Sequence, residues 1–166
     1  MKRVRAQPPR GAPEGTIRFG GPVDRCRVSL RVAGESLDPS EITSRMKVEP
    51  TFARLPGRLI HSSDGTPLRI DQVGSWHFTV GSGDLEELRD QPSDIVEGVI
   101  RNLLDRLPAD LNFWKGLTGR YSVDLFCGLF LYSENRGFSL SPEICSVLGE
   151  RGIDFEAPDD PAEPES

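Results

Sequence analysis

Residues 121–133 place the strongest limit on what this chain can fold into. Tyr121, Val123, Leu125, Cys127, Leu129 and Leu131 fall at every second position and share one side of a strand. The other side carries Asp124, but also Phe126, Phe130 and Tyr132. A strand with apolar character on both sides belongs near the middle of a sheet, with cover on both faces or a groove on one. The rest of the chain must supply its neighbours and its cover.

Two further strands are legible. Val28, Leu30 and Val32 alternate with Ser29 and Arg31, a half-buried pattern that begins near Cys26. In Gly74–Val80, Trp76, Phe78 and Val80 share one face, while His77 and Thr79 share the other. Residues 49–73 hold Pro50, Pro56, Gly57, Gly65 and Pro67 and read as irregular, with a brief strand at 58–61 or 67–71. Ile153, Phe155 and Ala157 suggest a last strand.

Helices are announced by their caps. At Leu37–Ile42, Asp38 is the N-cap, Pro39 the first helical residue and Glu41 the partner of a capping box. Leu37 and Ile42 sit where a hydrophobic staple would, and the helix ends near Met46. The clearest helix is 94–107, behind Ser93 as N-cap. Its stripe is Ile95, Val96, Val99, Ile100, Leu103, Leu104 and Leu107. Pro108 stops it, and a second helix is expected at 109–117 with Leu111, Trp114 and Leu117 inward. Ser141 and Pro142 open another helix with Ile144, Val147 and Leu148 inward, and Gly152 suits its end. The fold class expected is α+β: an antiparallel or mixed sheet with helices mainly on one face.

The two helix starts echo each other. Ser36-Leu37-Asp38-Pro39 returns as Ser139-Leu140-Ser141-Pro142, each followed by Glu-Ile (Glu41-Ile42 and Glu143-Ile144). Two readings stand: a pair of pseudo-repeated β–α–β halves, or the same capping demand met twice.

Charge divides the chain of 166 residues into three parts. Residues 1–25 hold six basic residues against Glu14 and Asp24, and residues 1–24 lack periodicity, so they read as a disordered basic arm. Residues 25–157 form a single α+β domain, long enough to bury a core without disulfides. Residues 158–166 carry four acids and no base, a disordered acidic tail. The net charge of −6 argues against a general nucleic-acid binder, leaving such contact to residues 1–10. No apolar run approaches the ~20 residues of a membrane helix, and no apolar stretch follows the basic start, so the cytoplasm is the expected place.

The chemistry of common active sites is missing from the pattern. His61 and His77 are the only imidazoles, and His61-Ser62-Ser63-Asp64-Gly65 reads as a turn. Cys26, Cys127 and Cys145 have no metal or redox spacing and read as small core hydrophobes, so no metal or cofactor is expected. No phosphate-binding glycine loop is present. The residues left as binding candidates are Trp76, His77, Asp124, Phe126, Phe130 and Tyr132. Asp124, inside an apolar strand, calls for a partner such as an arginine.

The motifs Leu37-Asp38-Pro39-x-Glu41-Ile42, Val48-Glu49-Pro50-Thr51, Gly74-x-Trp76 and Phe138-Ser139-Leu140-Ser141-Pro142-Glu143 together resemble the bacterial family catalogued as domain of unknown function 4279. The resemblance covers about residues 26–157. It implies a fold and a bacterial range, and no activity. The function expected is a small intracellular interaction protein that binds a protein partner without catalysis, with immunity-like toxin neutralisation as one form. The alternative is a ligand or enzyme pocket around Trp76, His77 and Asp124, and a further one is nucleic-acid contact through the basic arm.

Overall fold

The alternation at Cys26–Val32 builds the centre of the molecule. The computed structural model describes residues 23–85, 95–130 and 137–157. Among them run β1 (Arg25–Gly34), α1 (Pro39–Met46), β2 (Phe52–Arg54), β3 (Arg58–His61), β4 (Pro67–Asp71) and β5 (Gly74–Gly81). There follow α2 (Ile95–Asp105), α3 (Leu111–Thr118), β6 (Ser122–Phe130), α4 (Pro142–Arg151) and β7 (Asp154–Glu156). Five strands form one sheet in the order β2-β5-β1-β6-β7. β1 is antiparallel to both β5 and β6, β2 is antiparallel to β5, and β7 runs parallel to β6, so the sheet is mixed.

One face of that sheet is the core. Val28, Leu30, Val32, Trp76, Phe78, Val80, Val123, Leu125 and Cys127 point into it and are buried. Against them lie Ile42 and Met46 of α1, the Val96–Leu104 stripe of α2, Trp114 and Leu117 of α3, and Ile144 and Leu148 of α4. All four described helices therefore sit on one face. Each such side chain fully withdrawn from water contributes about 1.5–3 kcal/mol before entropy is counted. Both tryptophans are buried with their indole N–H groups satisfied. Trp76 donates to Thr43 Oγ1 at 3.0 Å, and Trp114 donates to the Pro108 carbonyl at 2.7 Å.

The capped starts of α1 and α4 are as the sequence reads. Asp38 accepts from Ser40 N at 2.8 Å, and Ser141 Oγ accepts from Ile144 N at 3.4 Å. Each helix ends in the left-handed region, on Lys47 (φ 59°) and Gly152 (φ 66°). The topologies differ, however. β6–α4–β7 joins neighbouring parallel strands, whereas β1–α1–β2 joins strands that have β5 between them.

Three expectations fail locally. Glu41 does not turn back to the cap; it meets Arg45 at 3.5 Å and Arg120 at 3.3 Å, where two cations outbid one amide. Leu111 is exposed, because it occupies the first turn of α3, ahead of the turns that carry Trp114 and Leu117 inward. Cys145 is exposed, one step round α4 from the buried Ile144; Cys26 and Cys127 are buried.

Both brief strands in the irregular stretch exist, and they belong to one hairpin. The pairs Phe52–His77, Ala53–Trp76 and Arg54–Ser75 lie at the sheet edge. Arg58–Asp71, Leu59–Ile70 and Ile60–Arg69 lie beyond it in the same register, without a slip. Gly57 N donates to the Asp71 carbonyl at 2.7 Å, inside the gap between the two halves. The far half, β3–β4, is an arm beyond the sheet. Its tip is a turn in which Ser62 N donates to the Thr66 carbonyl at 2.9 Å. Asp64 accepts from Thr66 N at 2.9 Å and from the Ser62 hydroxyl. These bonds hold the Asp64 carboxyl down at about 2.

Candidate functional site

Alternation that drives Val28, Leu30 and Val32 inward drives Arg27, Ser29 and Arg31 outward. No helix among the described residues covers that second face. Register carries one residue from each strand into a single row across it: Phe52, His77, Arg31, Asp124 and Asp154. A second row holds Thr79, Ser29, Phe126 and Glu156.

Arg31 stands at the middle of this face. Its Nε donates to Asp124 Oδ1 at 2.6 Å, and one terminal nitrogen donates to Glu156 Oε2 at 2.5 Å. Its guanidinium lies over the Phe126 ring, 4.5 Å from the centroid. Burial works against the Arg31 charge, but the hydrogen bonds and charges of Asp124, then of Glu156, hold its pKa above the ordinary value. The partner that Asp124 demands is thus an arginine 93 residues away in the chain.

Two more ring contacts flank this cluster. Phe52 packs on His77 with centroids 5.0 Å apart, and the Arg25 guanidinium lies 5.5 Å from the Phe130 centroid. His77 is half-buried, and burial, then the Arg31 charge, pushes its pKa below the ordinary imidazole value. Asp124 opposes that shift and Arg54 adds to it. Above His77, the Ser29 and Thr79 hydroxyls share a hydrogen bond of 2.7 Å. Thr51 reaches the Thr79 hydroxyl at 3.1 Å and donates its backbone N–H to the His77 carbonyl at 2.8 Å.

Of the six sequence candidates, His77, Asp124, Phe126 and Phe130 lie together on this face. Trp76 does not: the pleat turns it into the core, fully buried, on the opposite side from its neighbour His77. Tyr132 lies outside the described residues, as does the basic stretch 1–10. The sequence reading missed Arg31, Phe52 and Glu156. Arg31 carried a signal, since it is one of three outward arginines on the strand that turns Val28, Leu30 and Val32 inward.

Two cavities lie among the described residues, the second beside the Arg25–Phe130 pair. One of about 390 Å³ is lined by Arg45, Lys47, Arg106 and Phe113 among others, at the ends of α1 and α2. One of about 230 Å³ lies where β1 meets the turn after β5, with Arg27, Ser82, Asp84 and Phe130 in its wall. Neither joins His77 to Asp124. Among the described residues, no group of three or more His, Cys, Asp or Glu is placed to hold a metal ion. No helix among them is long and apolar enough to cross a membrane.

This geometry defines an α+β domain with helices banked on one side of a mixed sheet and, on the other, a polar, aromatic face that none of the described helices covers. The chain belongs to the family described as Domain of unknown function (DUF4279), whose model matches residues 24–158. No curated protein and no solved structure matches the chain.

Proposed function

We propose that the chain is a small interaction protein that binds a protein partner on the open face of its sheet. The observation that carries this reading is the group of three ring contacts on one face, Phe52–His77, Arg31–Phe126 and Arg25–Phe130. Arginine and aromatic side chains are the residues that dominate the centres of protein interfaces. Here they are already held by their neighbours, so docking costs less rotamer entropy. The Arg31 charge is matched by Asp124 and Glu156, which lowers the penalty of covering it. Work in the cytoplasm fits this reading. Toxin neutralisation of the immunity type is one concrete form, since it acts by surface and needs no cofactor.

The test is affinity capture from the native host. The wild type is compared with a Phe126→Ala, Phe52→Ala double variant. One protein held in stoichiometric amount by the wild type and lost by the variant is the expected result. Equal capture by both would remove the open face from the reading. Capture of nothing by either would return weight to a small ligand.

A further inference from the structure

The helix side of the domain carries a cavity that the open face does not use. It holds about 390 Å³, within the range of small-ligand pockets, and lies where α1 and α2 end and α3 begins. Three cations line it: Arg45, Lys47 and Arg106. The acid in its wall is Asp110, whose carboxylate already caps α3 and accepts from Asn112 N at 2.9 Å. The lining is therefore positive in a chain of net −6. Pro108 and Phe113 add an apolar wall.

The cations are not spent on partners. Neither Lys47 nor Arg106 has an ion-pair partner among the described residues. Arg45 meets Glu41 only at 3.5 Å, and its guanidinium is steadied 5.0 Å from the Phe113 centroid. Lys47 is also unusual in its backbone. It holds φ 59°, and the other described residues with positive φ are Gly57, Gly65 and Gly152. A Cβ in that region is strained, which is why glycine commonly follows a helix end. α4 closes on Gly152 in the same conformation, whereas α1 closes on a lysine whose side chain lines the cavity. A cation also suits the end of a helix dipole, but Arg45 already stands in the last turn of α1.

We propose that this cavity binds a small organic phosphate. Lys47, Arg106 and Arg45 hold the phosphate, and the apolar body lies against Pro108 and Phe113. A phosphate monoester carries close to two negative charges at pH 7, which matches two unpaired cations where a carboxylate would leave one unmatched.

Calorimetric titration of the full chain at low salt tests this, with phenyl phosphate, inorganic phosphate and benzoate as probes. Phenyl phosphate should bind with a dissociation constant of about 1 mM or lower. Inorganic phosphate lacks the ring and benzoate the second charge, so each should bind at least about threefold more weakly. Arg106→Gln should weaken phenyl phosphate by a similar factor. Lys47→Gly separates a binding role from a structural one. It should raise the urea midpoint, because the strained Cβ is gone, and yet weaken phenyl phosphate about threefold or more. The inference would be overturned by phenyl phosphate that neither gives heat nor raises the unfolding midpoint at about 10 mM. Equal affinity in the wild type and both variants would overturn it too, and benzoate binding as tightly as phenyl phosphate would overturn the assignment to phosphate. The Phe126→Ala, Phe52→Ala variant should bind phenyl phosphate as the wild type does, so failure here leaves the reading of the open face standing.

Discussion

Thr43 in α1 is the acceptor for the buried Trp76 indole at 3.0 Å, and it also donates to the Pro39 carbonyl at 2.9 Å. Replacing it with valine keeps the shape and removes the oxygen. The indole N–H then faces apolar neighbours with no water within reach, because Trp76 is fully buried. Leaving a buried donor unsatisfied costs about 1–3 kcal/mol, whereas the Pro39 carbonyl, which loses the hydroxyl as a donor, remains a helix carbonyl. Thr43→Val should therefore destabilise the fold by about 2 kcal/mol, while Thr43→Ser, which keeps the hydroxyl, should cost well under half of that. Urea unfolding followed by tryptophan fluorescence reads the difference as a shift in midpoint at constant slope. A Trp76→Phe background supplies the decisive control. With no N–H left to satisfy, the Thr43→Val cost should shrink by about 1 kcal/mol or more. Equal costs of Thr43→Val in the two backgrounds would refute the role assigned to this bond.

Four further outcomes follow from the geometry. His77 titrates below its unfolded value, so its neutral form belongs to the folded state; its contribution is complete above pH 6.5 and is lost as pH falls through the folded pKa. Unfolding measured from pH 7.5 to 5.5 should show a smaller acid loss in His77→Gln than in the wild type. Gly74→Ala should cost about 1–3 kcal/mol, since its Cβ would meet the Leu37 carbonyl, and a neutral midpoint would sink that reading. Asp124→Ala should destabilise more than Glu156→Ala, by about 1–2 kcal/mol, because Asp124 is the less exposed partner of Arg31. A thiol reagent should label Cys145 quickly and leave Cys26 and Cys127 slow. Burial pushes those two thiols up to about 12 and about 11, with Cys127 adding to the shift at Cys26.

Much of the fold was legible because burial leaves a period in the sequence. Val28, Leu30, Val32 and Val123, Leu125, Cys127 show period two, and Val96–Leu104 shows the helical period. The arm was legible only as two short strands in an irregular stretch, since Pro56, Gly57 and Pro67 break its pattern and its shared register exists only in space. The site was half legible. Asp124 announced that it needed a cation, but Arg31 is 93 residues away and Glu156 sits 125 residues from Arg31 in a three-residue strand. No local pattern encodes such pairings. Phe52 gave no signal at all, for its role rests on landing opposite His77. Cys145 misled because a small apolar residue on a helix reads the same whichever way it faces.

The central place of β1 has a consequence for how the chain is made. β1 is the first of the described strands to be synthesised, yet its neighbour β5 begins only at Gly74 and its other neighbour β6 at Ser122. Asp124 follows Arg31 by 93 residues, a wait of about 5–20 s at ordinary translation speed. Through that interval Cys26, Val28, Leu30 and Val32 leave the ribosome with neither sheet neighbour, then with β5 on one edge alone. A nascent chain in that state is open to wrong edge pairing. The outward residues Arg25, Arg27 and Arg31 place a positive charge at three of the strand's ten positions, and so guard it until Asp124 arrives.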